Sequence, residues 1–265
     1  MRPVSLALAL TLAACVSDPA PPGAPTEVER AAPTPSASMA ASGLTVAVDS
    51  LLRDEPERNY RVAIGYPQIE GSAGRPMARV LRAANAAIRD SVVALADGFR
   101  PEAPPPGESA ERYPVRVDGL VSDTYLSDRV MSALISVHFY TGGAHGMTLF
   151  LPLTLDLDTG RALAPADLFA PDSPWADTLA AWVGRDVQAQ IRQRSAAAPT
   201  SGYAAEGLAP IREGQMSLTV GADSVAVHVP PYQLASYAEG SFRVAVPRRA
   251  VAPFARPGGV LDADR

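Results

Sequence analysis

The chain has 265 residues, 47% of them hydrophobic, a formal net charge of -5 and a single cysteine. The length and apolar content support a real core. The acidic balance argues against a nucleic-acid partner and suits a basic protein partner by electrostatic steering.

The first fifteen residues read as a secretory leader. Arg2 is a short basic region, Val4 to Leu12 an apolar stretch, and Leu12-Ala13-Ala14-Cys15 ends it as a lipobox would. The apolar run is too short to span a bilayer. Cys15 is the expected lipidation site and the anchor is expected to be lipid alone, in the cell envelope. If there are two membranes, the outer one facing the periplasm is expected, because Val16 is not an aspartate-type retention signal. With Cys15 so used, no disulfide is left for the domain. Residues 16–42 are rich in Pro and Ala and poor in apolar side chains, which reads as a disordered tether. Such a tether reaches about 30 Å.

Leu44 to Val48 and Tyr60 to Ile69 are predicted strands. Gly74 to Asp97 carries Met77, Val80, Leu81, Ala84, Ile88, Val92 and Leu95 at helical spacing, with Gly98 placed to end the helix. Pro101 to Gly107 is a polar loop. Strand segments follow around Val115 to Val121 and Thr124 to Leu126. Val130 to Tyr140 alternates: Met131, Ala133, Ile135, Val137 and Phe139 point one way, and Ser132, Ser136 and His138 the other. A glycine-rich link leads to a strand over Met147 to Leu157, closed by a turn at Asp158-Thr159-Gly160. Pro174 to Arg194 is the second helix, with Leu179, Val183, Val187 and Ile191 on its stripe. Strands around Met216 to Val220, Val225 to Val229 and Phe242 to Val246 follow, then a short helix over Arg248 to Phe254. This order predicts an α+β fold, a mostly antiparallel sheet packed by two long helices. The expected domains are a leader (1–15), a tether (16–42), an N-terminal strand-helix-strand subdomain (43–125), a C-terminal subdomain (126–255) and a tail (256–265).

Three segments carry a family resemblance: Tyr140-Thr141-Gly142-Gly143-Ala144-His145-Gly146; Leu155 to Gly160 followed by Asp167-Leu168-Phe169; and Ser217 to Val246, containing Pro231-Tyr232-Gln233-Leu234. Together they resemble the domain of unknown function 3298, RsiV-like at its C-terminus. The stretch before it resembles the small domain that precedes it in RsiV-like and PdaC-like proteins. Members include the extracellular part of an anti-sigma factor that binds lysozyme, and modules preceding peptidoglycan deacetylases. The resemblance implies the accessory module alone, on a lipid tether.

The chain has three histidines, His138, His145 and His228. No two share helix spacing, so neither a metal nor a cofactor is expected. His138 and His228 read as exposed or half-buried on sheet faces. His145 is the best functional candidate of the three, although a structural hydrogen bond that holds the strand connection is the preferred reading of it. Asp156 to Gly160 lacks the ligands of a calcium loop and reads as a turn. Gly71 to Gly74 before a helix offers an anion cradle, with a plain turn as the simpler reading. Tyr140, Tyr232 and Tyr237 are the other candidate binding residues. Tyr232, Tyr237 and Phe242 could form a platform for a sugar or a partner, but the alternation around them favours their anchoring the loop into the sheet. The expected function is a lipid-anchored, non-catalytic envelope protein binding a lysozyme-like muramidase or cell-wall glycan. A metal-assisted wall hydrolase built on His145 and an envelope scaffold are the other classes.

Overall fold

The computed structural model describes residues 43–71, 75–105, 114–194 and 203–262. The leader, Cys15 and the tether lie outside them, as does most of the Gly71 to Gly74 segment.

Strands β1 (Thr45–Glu55), β2 (Tyr60–Glu70), β3 (Val115–Leu126), β4 (Val130–Tyr140), β5 (Met147–Asp156) and β6 (Arg161–Ala162) form one sheet in that order. All neighbours are antiparallel except β2 and β3. Between these two runs α1 (Arg75–Phe99), the crossover that a parallel pair requires. α2 (Trp175–Arg194) and α3 (Ala209–Arg212) precede a second, three-stranded antiparallel sheet of β7 (Ser217–Val220), β8 (Ser224–Val229) and β9 (Phe242–Pro247). α4 (Arg248–Val251) closes the fold. The architecture is mixed α+β with mostly antiparallel strands.

Two apolar cores follow from strand alternation. Leu81, Ala84, Ile88 and Val92 of α1 pack on Val62, Ile64, Val117, Met131, Ala133, Ile135 and Val137. Leu179, Val183, Val187 and Ile191 of α2 pack on Leu218, Val225, Val227, Val229, Phe242, Val244 and Val246. The remaining faces of the two sheets meet each other. Ser132, on the face of β4 turned from α1, accepts the Val220 backbone N–H of β7 at 2.9 Å and lies 2.9 Å from Thr154 Oγ1. An open edge of the small sheet is thereby satisfied by a side chain of the large one.

Several boundaries differ from those the sequence predicts. β1 runs on to Glu55, because its charged second half pairs with β2 as regularly as its apolar first half. α1 continues through Gly98 to Phe99, so Gly98 is not the cap. The two segments predicted before β4 are one strand, interrupted by a register shift between Ser122 and Tyr125 where Asp123 takes φ +47°. Residues 256–262, expected as a tail, place Val260 and Leu261 in the second core. Gly160 turns with φ +70°, as a glycine hairpin position requires. Asp156 Oδ1 accepts the Asp158 and Thr159 N–H groups, an Asx turn rather than a calcium loop.

Candidate functional site

The glycine-rich link between β4 and β5 and the connection from β8 to β9 bring three aromatic rings together. In the link, Gly142 and Gly143 have φ +99° and +101°. Tyr140 Oη donates to the Gly143 carbonyl at 2.9 Å and pins the link to the strand it leaves. Gly146 has little room for a side chain: a Cβ there would lie 2.9 Å from the Phe139 carbonyl oxygen and would push the His138 ring aside. His145, beside it, is exposed. Its Nδ1 lies 2.9 Å from the Gly146 carbonyl, which only accepts, so Nδ1 carries the proton. Tyr232 Oη lies 3.3 Å from His145 Nε2.

Tyr232 reaches that position from an unusual backbone. β8 ends at Pro230-Pro231, and the Gln233 N–H returns to the Pro230 carbonyl at 3.4 Å. With proline at the second place of this turn and φ +69° at Tyr232, the geometry is type II, whose third place favours glycine. A tyrosine there costs about 1–3 kcal/mol. Its ring contributes little burial in return, being 53% exposed. Tyr237, half-buried on the short turn Tyr237–Glu239, stacks on His145 with centroids 4.1 Å apart and an interplanar angle of 20°. Tyr232 and Tyr237 centroids are 5.6 Å apart. Leu234 and Ala235, both buried, hold the connection to the core, and the Ala204 N–H donates to the Leu234 carbonyl. The anchoring role considered for the tyrosines thus belongs to Leu234 and Ala235. Phe242, on β9, is a core residue.

A second polar cluster lies between the sheets, and sequence reasoning missed it. Ser132, Thr154, Thr219 and His228 are the buried polar residues among those described. His228 Nε2 lies 2.8 Å from Thr219 Oγ1 and 3.5 Å from Asp123 Oδ2. Arg243 Nε donates to both oxygens of Asp123, at 3.0 and 2.8 Å. The Phe150 ring meets His228 edge-on. Burial pulls the His228 pKa from 6.5 down to about 4, with the Asp123 charge opposing and Arg243 adding. His228 is only 4% exposed, against the expectation of an exposed or half-buried sheet face, because the large sheet covers the polar side of β8. His138 is exposed, with Nδ1 3.5 Å from Thr148 Oγ1.

Among the described residues, no group of three or more His, Cys, Asp and Glu side chains is placed to hold a metal ion. No helix among them is long and apolar enough to cross a membrane. What the aromatic cluster offers is a rigid, partly solvent-facing set of rings and hydroxyls.

Residues 166–249 match the family model of DUF3298, a protein family of unknown function. No curated protein matches the chain. The crystal structure of a DUF3298 family member from Bacteroides fragilis is similar at 17% identity, covering 84% of this chain and 98% of that one, with a TM-score of 0.55. A DUF3298 family protein from Pseudomonas aeruginosa is similar at 12% identity, covering 81% of this chain and 94% of that one, with a TM-score of 0.48.

Proposed function

We propose that this DUF3298-containing chain is a lipid-anchored cell-envelope protein whose domain binds without catalysis, and that the His145, Tyr232 and Tyr237 cluster is its binding anchor. The observation that carries this reading is Tyr232, an exposed ring held in a strained backbone conformation that the core does not need. Rigid tyrosines with a polar tip dominate recognition surfaces because they lose little conformational freedom on binding. The C–H faces of pyranose rings suit such a platform, while the Tyr232 hydroxyl and exposed His145 supply hydrogen bonds. A cell-wall glycan is therefore the first partner. The lipobox-like pattern ending at Cys15 supports this reading, since an exported, lipid-anchored domain would share a compartment with that polymer. A lysozyme-like basic protein is the second partner, favoured by the net charge of -5.

The test is a titration of the whole chain in detergent micelles with peptidoglycan fragments and, separately, with lysozyme, at low and moderate salt. Saturable binding weakened at least about tenfold by Tyr232→Ala supports the reading. Binding of neither, or binding indifferent to Tyr232→Ala, ends it. Lysozyme binding that ignores salt removes the electrostatic argument alone.

A further inference from the structure

We infer that β1 joins two copies of this chain edge to edge, forming one continuous antiparallel sheet about a twofold axis through Leu51. The strand edges of the two sheets are treated unequally. β6, at one end of the large sheet, has only two residues, a common device against unwanted pairing. β7 seats its edge on Ser132. β1 is 11 residues long, pairs along its whole length with β2, and no described strand occupies its other side. It carries two exposed aliphatic side chains, Val48 (53% exposed) and Leu52 (72%). Val48 leans over Gly65, its Cγ1 3.3 Å from where a Cβ would stand.

The order of residues on β1 is self-complementary, which an isologous joint demands. An antiparallel dyad at Leu51 sets Leu51 against Leu51 of the partner subunit. It sets Asp49 against Arg53 of the partner subunit, and Arg53 against the partner's Asp49. These three positions share the face turned toward α1, as the pairs Leu51 with Ile64 and Arg53 with Val62 show. Opposite charges directly across a strand pair stabilise it, and like charges oppose it. Arg53 Nη1 is engaged by Asp97, and the Asp49 carboxylate accepts from Tyr66 Oη at one oxygen and from the Ser50 N–H at the other, so the joint uses the remaining nitrogens of Arg53 and the further lone pairs of Asp49. On the opposite face Leu52 falls beside the partner's Ser50, flanked by the partner's Val48 and Leu52, so the exposed aliphatic groups cover one another. A second copy fits this edge better than an unrelated peptide because Asp49 and Arg53 complement each other across the dyad, while Asp54 and Glu55 fall opposite uncharged positions of the same strand.

The experiment is sedimentation equilibrium of the whole chain carrying Cys15→Ser, which keeps lipid and thiol out of the measurement. The expected result is a dimer in the micromolar range. Leu52→Lys is expected to make the chain monomeric with an unchanged thermal melt, since Leu52 is an exposed side chain. Asp49→Arg and Arg53→Asp are each expected to weaken the dimer at least about tenfold, and the double reversal to restore it to within about threefold. A chain that is monomeric throughout the micromolar range overturns the inference. So does a dimer that survives Leu52→Lys and both single reversals, or a double reversal that stays monomeric while folded.

Discussion

Two histidines of this protein each pair with a hydroxyl, and their surroundings give them opposite characters. His145 faces Tyr232 Oη at 3.3 Å on an exposed link, while His228 faces Thr219 Oγ1 at 2.8 Å between two sheets. At the surface, water satisfies either partner if the other is removed, so the pair contributes little to stability and is available to a ligand. Between the sheets, the same chemistry joins the folded state: each group must be partnered, and the imidazole must stay uncharged. Burial, not residue type, separates a recognition element from a structural one.

The sharpest way to test that contrast is acid. The folded state lowers the His228 pKa from 6.5 to about 4, so as pH falls the unfolded chain takes up the proton first. Stability from this group is intact above pH 6.5 and drains away as pH falls toward 4. The full loss is about 3 kcal/mol at 1.36 kcal/mol per pKa unit. Urea unfolding at pH 7 and pH 4 should show the drop, and His228→Asn should reduce it. An equal drop in His228→Asn would place the acid sensitivity elsewhere.

Next in size is Ser132→Ala. It strands the buried Val220 N–H and removes a partner from Thr154, at a cost of about 1–3 kcal/mol measured by urea unfolding. A loss under half a kcal/mol would mean that water takes the place of the hydroxyl. Thr219→Val leaves His228 with Asp123 alone and should cost about 1–2 kcal/mol in the same assay.

At the exposed pair the effects shrink or reverse. Tyr232→Asn puts a residue that tolerates positive φ at the strained position, so the thermal midpoint should hold or rise, with a gain of up to about 1 kcal/mol, while ligand binding falls. His145→Ala should change stability by no more than about 0.5 kcal/mol. A large destabilisation by His145→Ala would make the cluster a structural clamp and weaken its candidacy as a binding anchor.

Much of the local structure was legible because periodicity reports one face at a time. The alternation of Met131, Ala133, Ile135, Val137 and Phe139 marks the side of β4 that meets α1, and the spacing of Leu179, Val183, Val187 and Ile191 marks the stripe of α2 that enters the second core. The candidates His145, Tyr232 and Tyr237 were visible as aromatic residues on loops. Tyr140, chosen with them, is held by Gly143 and supports the link rather than joining the rings. Polar residues on the second face of a strand read as solvent-facing, and this is where pattern reading fails. Ser132 and His228 look like surface residues until the small sheet closes over them. The extension of β1 through Asp49 to Glu55 was hidden for a related reason: charged side chains on an edge strand weaken the strand signal without weakening its backbone pairing.

The sequence by itself determined the helices, most strands and the glycine and proline turns, since each depends on backbone preference and on which single face is apolar. Only the tertiary structure decided that two polar sheet faces meet, that Asp123, Thr219, His228 and Arg243 form one cluster, and that rings far apart in the chain share one surface. Those outcomes rest on contacts between distant segments, and a local pattern carries no record of what will come to lie against it.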